Sequence, residues 1–263
     1  MSRVNQSEYS TLEMMAICGA RAIKNGENVF VGTGLPMLAA MLAKRMHAPN
    51  AKIIFEAGFI DSNAIDLALS IADSRLAYRA SAAIGLIETL GMLLQGGRVD
   101  VGFVGAAQID EYGNINTTYI GNFENPQVRL PGSGGGNDIV SSAKRIVIIM
   151  THEKRKFVKK LDYLTSPGFL DGSPNAREKA GLKGGGPSLV ITNLCQMNFD
   201  EKTKRLKLAT IHPGVSVQEV IDNTGIDLII PETVMKTEAP TKEELETLRR
   251  IDPKGLYLGK AKK

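Results

Sequence analysis

Tryptophan is absent from this chain, cysteine occurs twice and histidine three times. Each scarcity excludes something. Cys18 and Cys195 lie far apart, in helix-like and strand-like surroundings, so neither a disulfide framework nor paired metal-ligand spacing is present. Buried free thiols in a reducing cytosol are the expectation. His47, His152 and His212 form no His-X-X-X-His pair, and no metal site is expected. Aromatic residues make up only 5% of the chain, too few to build a stacking platform for nucleic-acid bases. The formal charge of +4 is drawn largely from two short runs, "KRKFVKK" and the terminal "GKAKK", which read as solvated surface, so no nucleic-acid partner is expected. No apolar run approaches the roughly 18 residues of a membrane span, and "MSRVNQSEYSTLEMM" lacks a signal-peptide core. A cytoplasmic protein with no membrane association is the expectation.

What is present is a repeated grammar of short apolar runs and helical segments. The 263 residues can bury a substantial core, and 43% apolar with 23% charged residues is ordinary for a globular protein. Apolar spacing predicts a helix over residues 10–24, closed by "NG". The strand "NVFVG", the glycine turn and helix of "TGLPMLAAMLAKRMHAPN", and the strand "KIIFE" then give the outline of a parallel α/β unit. A further helix is predicted over 82–95, followed by the strand-like runs "VDVGFVGAA", "RIVIIM", "SLVIT", "LKLATI" and "DLII". "LCQMNFDEKTKRLKLATI" reads as an antiparallel hairpin in the C-terminal half. The sum is an α/β fold with an open, mostly parallel sheet and helices on both faces. With no repeat and no low-complexity linker, a single domain spanning 1–263 is expected, although "PGFLDGSPNAREKAGLKGGGP" is long and irregular enough to be functional.

Four stretches carry candidate chemistry. In "KIIFEAGFID", Glu56 closes an apolar strand, and ligands of open parallel sheets collect beyond the carboxyl ends of strands. Ala57 and Gly58 remove bulk beside it. A glutamate that caps or pairs with a neighbouring helix fits the local sequence as well. "PGSGGGNDIV" places consecutive glycines where backbone N–H groups can bind phosphate or stabilise an oxyanion, although a plain flexible loop fits too, and the run departs from the dinucleotide fingerprint. "VGTGLP" puts Gly32 and Gly34 at a strand-to-helix junction, where free N–H groups suit anions. In "GAAQIDEYGNIN", Gln108 stands at a strand end, where it can face a ligand, while Asp110, Gly113 and Asn114 need no more than a turn.

Together with "THEKRKFVKKLDYLTSPGFLDG", these stretches occur in the order found in one family. Over nearly its whole length the chain resembles the beta subunit of class I CoA-transferases, most closely that of glutaconate CoA-transferase, with the CoA-transferase/NagB-like fold. The resemblance implies that Glu56 is the catalytic carboxylate of a ping-pong transfer through a glutamyl-CoA thioester. It implies Gly135 and Gly136 as backbone donors to the oxyanion, and Gly32, Gly34, Gly58, Gln108, Gly134 and Asn137 as CoA- or acyl-binding positions. Gly136 stands where an alanine is common in the family. Lys154, Arg155 and Lys156 are candidates to attract the phosphates of CoA, against the competing reading of a solvated basic face.

The resemblance also implies coenzyme A or acyl-CoA as substrate with no tightly bound cofactor, and a hetero-oligomer with an alpha subunit, four copies of each being the nearest analogy. The acceptor is expected to be a short dicarboxylic acid such as glutaconate, chosen in part by residues 59–63. Relatives without the glutamate decarboxylate or hydrolyse CoA thioesters, so those reactions, or non-catalytic acyl-CoA binding, are the alternatives.

Overall fold

The computed structural model describes residues 3–62 and 66–259, so Asn63 and the lysines of the terminal "GKAKK" lie outside the described residues. Contacts gather the chain into two compact units, one formed by Met1–Phe103 with Glu238–Lys263 and the other by Val104–Thr237.

The first unit opens with α1 (Thr11–Arg21), which begins where Ser10 accepts from the Glu13 N–H while the Glu13 carboxylate takes the Ser10 N–H, a reciprocal cap. It ends at Arg21, one turn short of the predicted limit. β1 (Asn28–Phe30), α2 (Leu35–Met46) and β2 (Lys52–Ile54) follow as expected, and β1 lies parallel to β2. β3 (Phe59–Ile60) and β4 (Ala82–Ala83) continue the sheet antiparallel, and β5 (Val101–Val104) runs parallel on the other side of β1. The helix predicted over 82–95 needs correcting. Ala82 and Ala83 pair with Ile60 and Phe59 as sheet, and the helical part is a wide-turned π-helix over Glu88–Gln95. An alanine pair has no pattern that separates strand from helix, and here the edge of the sheet decides.

A helix not anticipated from the sequence, Lys242–Ile251, completes this unit, capped by Thr241 and Glu244 just as α1 is by Ser10 and Glu13. The two caps are also used in ion pairs. Arg21, near the end of α1, forms a two-pronged bridge to Glu244, with both N···O distances 2.7 Å, and Arg249, near the end of the C-terminal helix, reaches Glu13 at 2.6 Å. Each glutamate thus serves its own helix N-terminus and the other helix's arginine. Fully buried Met14, Met15, Ile17, Met37, Leu38 and Leu42 form the core around α1 and α2. Burial of side chains of this size contributes about 1.5–3 kcal/mol each.

In the second unit, β6 (Gln108–Ile109) pairs antiparallel with β7 (Ile115–Asn116), and β8 (Tyr119–Gly121) with β9 (Pro126–Arg129). After α3 (Gly136–Ser142) comes β10 (Arg145–Ile149), then α4 (Ala176–Lys179) and β11 (Pro187–Ile191), with β10 and β11 parallel. β12 (Cys195–Phe199) and β13 (Leu206–Ile211) form the predicted antiparallel hairpin. After α5 (Val217–Asp222), the run "DLII" provides only an isolated bridge, Lys207 to Ile229, and β14 (Met235–Lys236) takes the edge beside β13. The basic segment forms a single 3₁₀ turn, Lys154–Lys156.

The irregular segment 167–187 is held from inside by Arg177. Its guanidinium is buried with no carboxylate partner among the described residues and donates to the carbonyls of Pro167, Gly168, Val140 and Gly184 at 2.6 to 3.0 Å. Burial lowers its pKa to about 10, and the carbonyl dipoles, Val140 among them near the end of α3, compensate the remaining charge.

His152 is likewise interior. Its Nδ1 and Nε2 lie 3.1 and 2.9 Å from the hydroxyls of Thr192 and Thr224, and its ring stacks 4.4 Å from Phe157. Burial pushes both thiols, Cys18 and Cys195, up to about 12, so they remain protonated.

Two outcomes are expected. Glu13→Ala removes a cap and leaves Arg249 without its carboxylate, and should cost about 2 kcal/mol in denaturant unfolding. Burial depresses the His152 pKa from 6.5 to about 4. Between those values the unfolded chain binds the extra proton, so the His152 contribution to stability is intact above 6.5 and is lost as pH falls toward 4, by about 3 kcal/mol in full. His152→Gln should therefore flatten the fall in stability across that window, measured by denaturant midpoints at successive pH values.

Candidate active site

In the first unit, β1 and β2 run side by side with Phe30 opposite Ile54, and the Val31 N–H donates to the Ile54 carbonyl at 3.0 Å. Their carboxyl ends therefore open together, and the two glycine-containing turns emerge from them. After β1 come Gly32, Thr33 and Gly34. Gly34 has φ +84 and caps α2, whose second residue, Pro36, has no N–H to leave unpaired in the first turn. A Cβ on Gly32 would meet nothing within 4 Å, so there is open space beside it.

After β2 the chain turns sharply. The Gly58 N–H donates to the Phe55 carbonyl at 2.9 Å and the Phe55 N–H to Phe59 at 3.0 Å, so Glu56 and Ala57 form the corner of a β-turn. Glu56 thus sits in the turn, two residues beyond the strand's last paired position, and is half-buried. Gly58 has φ +98, and a Cβ on it would lie 1.8 Å from the Ile84 carbonyl oxygen. The small residue expected to make room for an acyl group is therefore required first by the chain itself, which passes against Ile84 and accepts its N–H at 3.1 Å.

The competing reading of Glu56 is a capping or paired carboxylate. Among the described residues its carboxylate makes no hydrogen bond and no ion pair. Glu13 and Glu244 show what pairing looks like in the same unit.

In the second unit, Gly134 and Gly135 lead into α3, whose first two residues are Gly136 and Asn137. The Gly136 N–H donates to the Ser133 carbonyl at 2.8 Å, a tight turn that takes this donor out of consideration for an oxyanion. Gly135 is buried and its N–H has no partner among the described residues. The Asn137 side chain donates to the Thr165 carbonyl at 2.7 Å, and Thr117 fixes Gly132 through both its backbone and its hydroxyl.

Gln108 is 6% exposed, and both ends of its amide are engaged. Its oxygen accepts from Asn116 at 2.7 Å and its nitrogen donates to Asp162 at 2.9 Å. The expectation that it faces a ligand gives way to a role in holding the β6–β7 hairpin, whose next residue, Thr117, anchors the glycine loop. The basic segment also turns on itself. Arg155 and Lys156 pair with Glu153 at 2.7 and 3.1 Å, and these partners hold the Glu153 carboxyl down at about 2.

The family model for coenzyme A transferase matches residues 12–223. The chain belongs to that family. It is an enzyme of CoA-transferase type by that membership, and its similarity to curated members extends over almost the full chain. It is 46% identical over 246 residues to the B-type subunit of 3-oxoadipate CoA-transferase from Pseudomonas knackmussii, covering 94% of each chain. It is 42% identical over 254 residues to the B-type subunit of glutaconate CoA-transferase from Acidaminococcus fermentans, again with 94% of each covered. The crystal structure of glutaconate CoA-transferase from Acidaminococcus fermentans superposes with a TM-score of 0.90 at 40% identity, over 97% of this chain and 99% of that one. The α/β fold expected from the sequence is therefore that of a CoA-transferase.

Among the described residues no group of three His, Cys, Asp or Glu side chains converges as a metal site requires, and no helix is long and apolar enough to cross a membrane. Nothing in the sequence singles out Tyr257, whose hydroxyl donates to the Ala68 carbonyl from a segment, "GLYLG", that has no motif to mark it.

Gly58→Ala should be severe, since the new methyl group meets a backbone oxygen at a positive φ. A loss of about 3 kcal/mol or more is expected by thermal unfolding. A Gly58→Ala protein as stable as the parent would show that the Ile84 approach does not constrain the turn.

Proposed function

We propose that this chain is the beta subunit of a CoA-transferase that moves CoA between an acyl-CoA and a short dicarboxylic acid such as glutaconate, through a glutamyl-CoA thioester on Glu56. The observation that carries the reading is a half-buried glutamate in a tight turn at the open ends of two parallel strands, with no partner among the described residues. The names of the two curated relatives, both of enzymes of dicarboxylic acids, support the substrate class. Each names one component of a larger enzyme, which supports an alpha subunit as partner. The reading is of a cytoplasmic hetero-oligomer, which the family analogy puts at four copies of each. Within it, the two compact units would act together as one beta-type domain.

In this reading one Glu56 oxygen attacks the thioester carbonyl, the C–S bond breaks, and an acyl-glutamyl anhydride forms with release of the CoA thiolate. The thiolate then attacks the glutamyl carbonyl and expels the acyl group as its carboxylate, which leaves CoA as a thioester on Glu56. The acceptor carboxylate runs the two steps in reverse. A carboxylate is a weak nucleophile in water and gains from being held at contact distance with its hydration removed by the bound substrate.

The Gly135 N–H is the donor this chain would offer to the developing oxyanion. One such donor is typically worth about 3 kcal/mol. Gly32, Gly34 and Gly134 would contribute open backbone to CoA or acyl binding, while Gly58, Gln108 and Asn137 act by holding their turns in shape. Lys154 and Arg155 would attract the CoA phosphates only weakly, since their field is screened beyond about 8 Å at physiological salt.

The test is covalent. With its partner subunit co-purified, the chain should gain a CoA or acyl adduct on the Glu56 peptide when given acyl-CoA without acceptor, seen by mass spectrometry. Glu56→Gln and Glu56→Ala should abolish both adduct and transfer. A folded Glu56→Ala complex that keeps its transfer rate would overturn the proposal, and turnover without any acceptor carboxylate would point to hydrolysis or decarboxylation.

A further inference from the structure

The first unit holds an open cavity of about 450 Å³, a size that suits a small ligand. Met41, Lys44 and Arg45 line it from α2, Ile53 from β2, and Asp61 and Arg79 from the segments that follow β3 and precede β4. Lys44 fixes its place in the fold. The ammonium donates to the Ala51 carbonyl at 3.1 Å, just before β2 begins, and pairs with the Asp61 carboxylate. The cavity therefore lies toward the amino end of β2, whereas Glu56 follows the carboxyl end.

Three cations and one carboxylate line this space. Asp61 is already committed, to Lys44 and to the Ser81 hydroxyl at 3.4 Å. Arg45 and Arg79 have no carboxylate partner among the described residues. The backbone sets Arg79 apart. Its φ of +51 is left-handed, which costs a residue with a Cβ about 1–2 kcal/mol. Asp61 has φ +55, so two of the five non-glycine residues with positive φ among the described residues line this one cavity. Aspartate tolerates that region far better than arginine does. Main-chain bonds hold Arg79 there, from the Tyr78 N–H to the Arg75 carbonyl at 3.2 Å on one side and from the Ser81 N–H to the Ile60 carbonyl at 2.8 Å on the other. A merely solvated arginine gains nothing from this conformation, and glycine would adopt it freely. Strain of this kind gathers where a side chain has a ligand to meet.

We propose that this cavity binds a phosphate monoester, with the phosphate received by the Arg45 and Arg79 guanidiniums and the organic part resting on Met41 and Ile53. Two cations without carboxylates match a phosphate group, which carries a charge of about −1.5 to −2 at pH 7, and guanidinium presents paired donors to its oxygens. The site is separate from the Glu56 turn, and its existence does not depend on the reaction assigned there.

The experiment titrates phenyl phosphate into the complex with its partner subunit at low ionic strength, followed by calorimetry. Phenyl phosphate should bind, and inorganic phosphate more weakly because it has no apolar part. Arg79→Gly should weaken phenyl phosphate binding at least about tenfold, the size expected when a hydrogen bond to a charged group is lost. Its thermal midpoint should stay at or above the parent value, because glycine adopts the positive φ without strain. Arg45→Gln should weaken binding to a similar degree, and the KM for acetyl-CoA should be unchanged in both variants. Absence of binding to the parent, or parent affinity in either variant, would overturn the proposal. A KM for acetyl-CoA that rises as phenyl phosphate binding is lost would overturn it too, since the cavity would then belong to the phosphates of the substrate. Glutarate bound as tightly as phenyl phosphate would overturn the choice of phosphate over a dicarboxylate.

Discussion

The passage of Gly58 against the Ile84 carbonyl is the constraint on which the candidate site depends. A side chain cannot occupy the 1.8 Å available there, and φ +98 is a conformation that L residues rarely adopt. Only because that position is glycine can the chain fold back two residues after Glu56 and join β3 to the sheet. The turn then has no slack. Glu56 is presented from a corner fixed by backbone hydrogen bonds on both sides, so the proposed reacting group is held by a frame made of main chain. Such a frame loses little precision to side-chain rotation, which is what a near-contact attack needs.

The remainder of the first unit makes the same point by contrast. Glu13, Glu244 and Asp252 are each committed to two or three donors, and those bonds hold α1, the C-terminal helix and the segment that follows it together. The second unit secures its glycine loop in a comparable way with a cation. Arg177 spends its guanidinium on carbonyls, including Val140 near the far end of α3, while Thr117 and Asn137 hold the loop at the near end. Charged and polar groups in both units are used to fix backbone, and the interior tolerates them because their hydrogen bonds are made.

How much of this is legible in the sequence depends on whether the deciding interaction is local. The order from β1 through α2 to β2 follows from apolar runs, a glycine turn and Pro36, all within a few residues of one another, and the structure agrees with it. The β12–β13 hairpin announces itself through its polar turn. The segment 82–95 does not, because Ala82 and Ala83 become strand only through Phe59 and Ile60, more than twenty residues earlier. Thr241 and Glu244 carry a capping pattern that marks the C-terminal helix, a signal weaker than the apolar runs and easily missed beside them. Gly58 stands out as a small residue, but its reason, Ile84, lies across the sheet. The expectations for Gln108 and Gly136 fail for one cause: a strand end or a glycine run shows which polar groups exist, and only the fold shows which are already bonded. Tyr257 and Arg177 act on partners remote in sequence, and nothing near them in the chain foretells it.

That Glu56, unlike these carboxylates, has no partner among the described residues bears directly on the proposed chemistry. A carboxylate clasped by arginine, as Glu244 is by Arg21, has its lone pairs engaged and its charge compensated, and would have to break those bonds before it could attack a carbonyl. Once esterified it would leave the arginine unpaired in the interior, at a cost of several kcal/mol. A group that alternates between anion, anhydride and thioester is better placed where none of those states strands a buried partner. Half-burial meets that condition. Water solvates the free anion, and in the proposed reaction an incoming thioester would displace that water as it binds, so that the loss of hydration would coincide with the arrival of the electrophile. Under the proposed mechanism, the pairing of Glu13, Glu244 and Asp252 and the lack of a partner for Glu56 among the described residues follow one electrostatic rule, applied to groups that stay as they are and to one that would change.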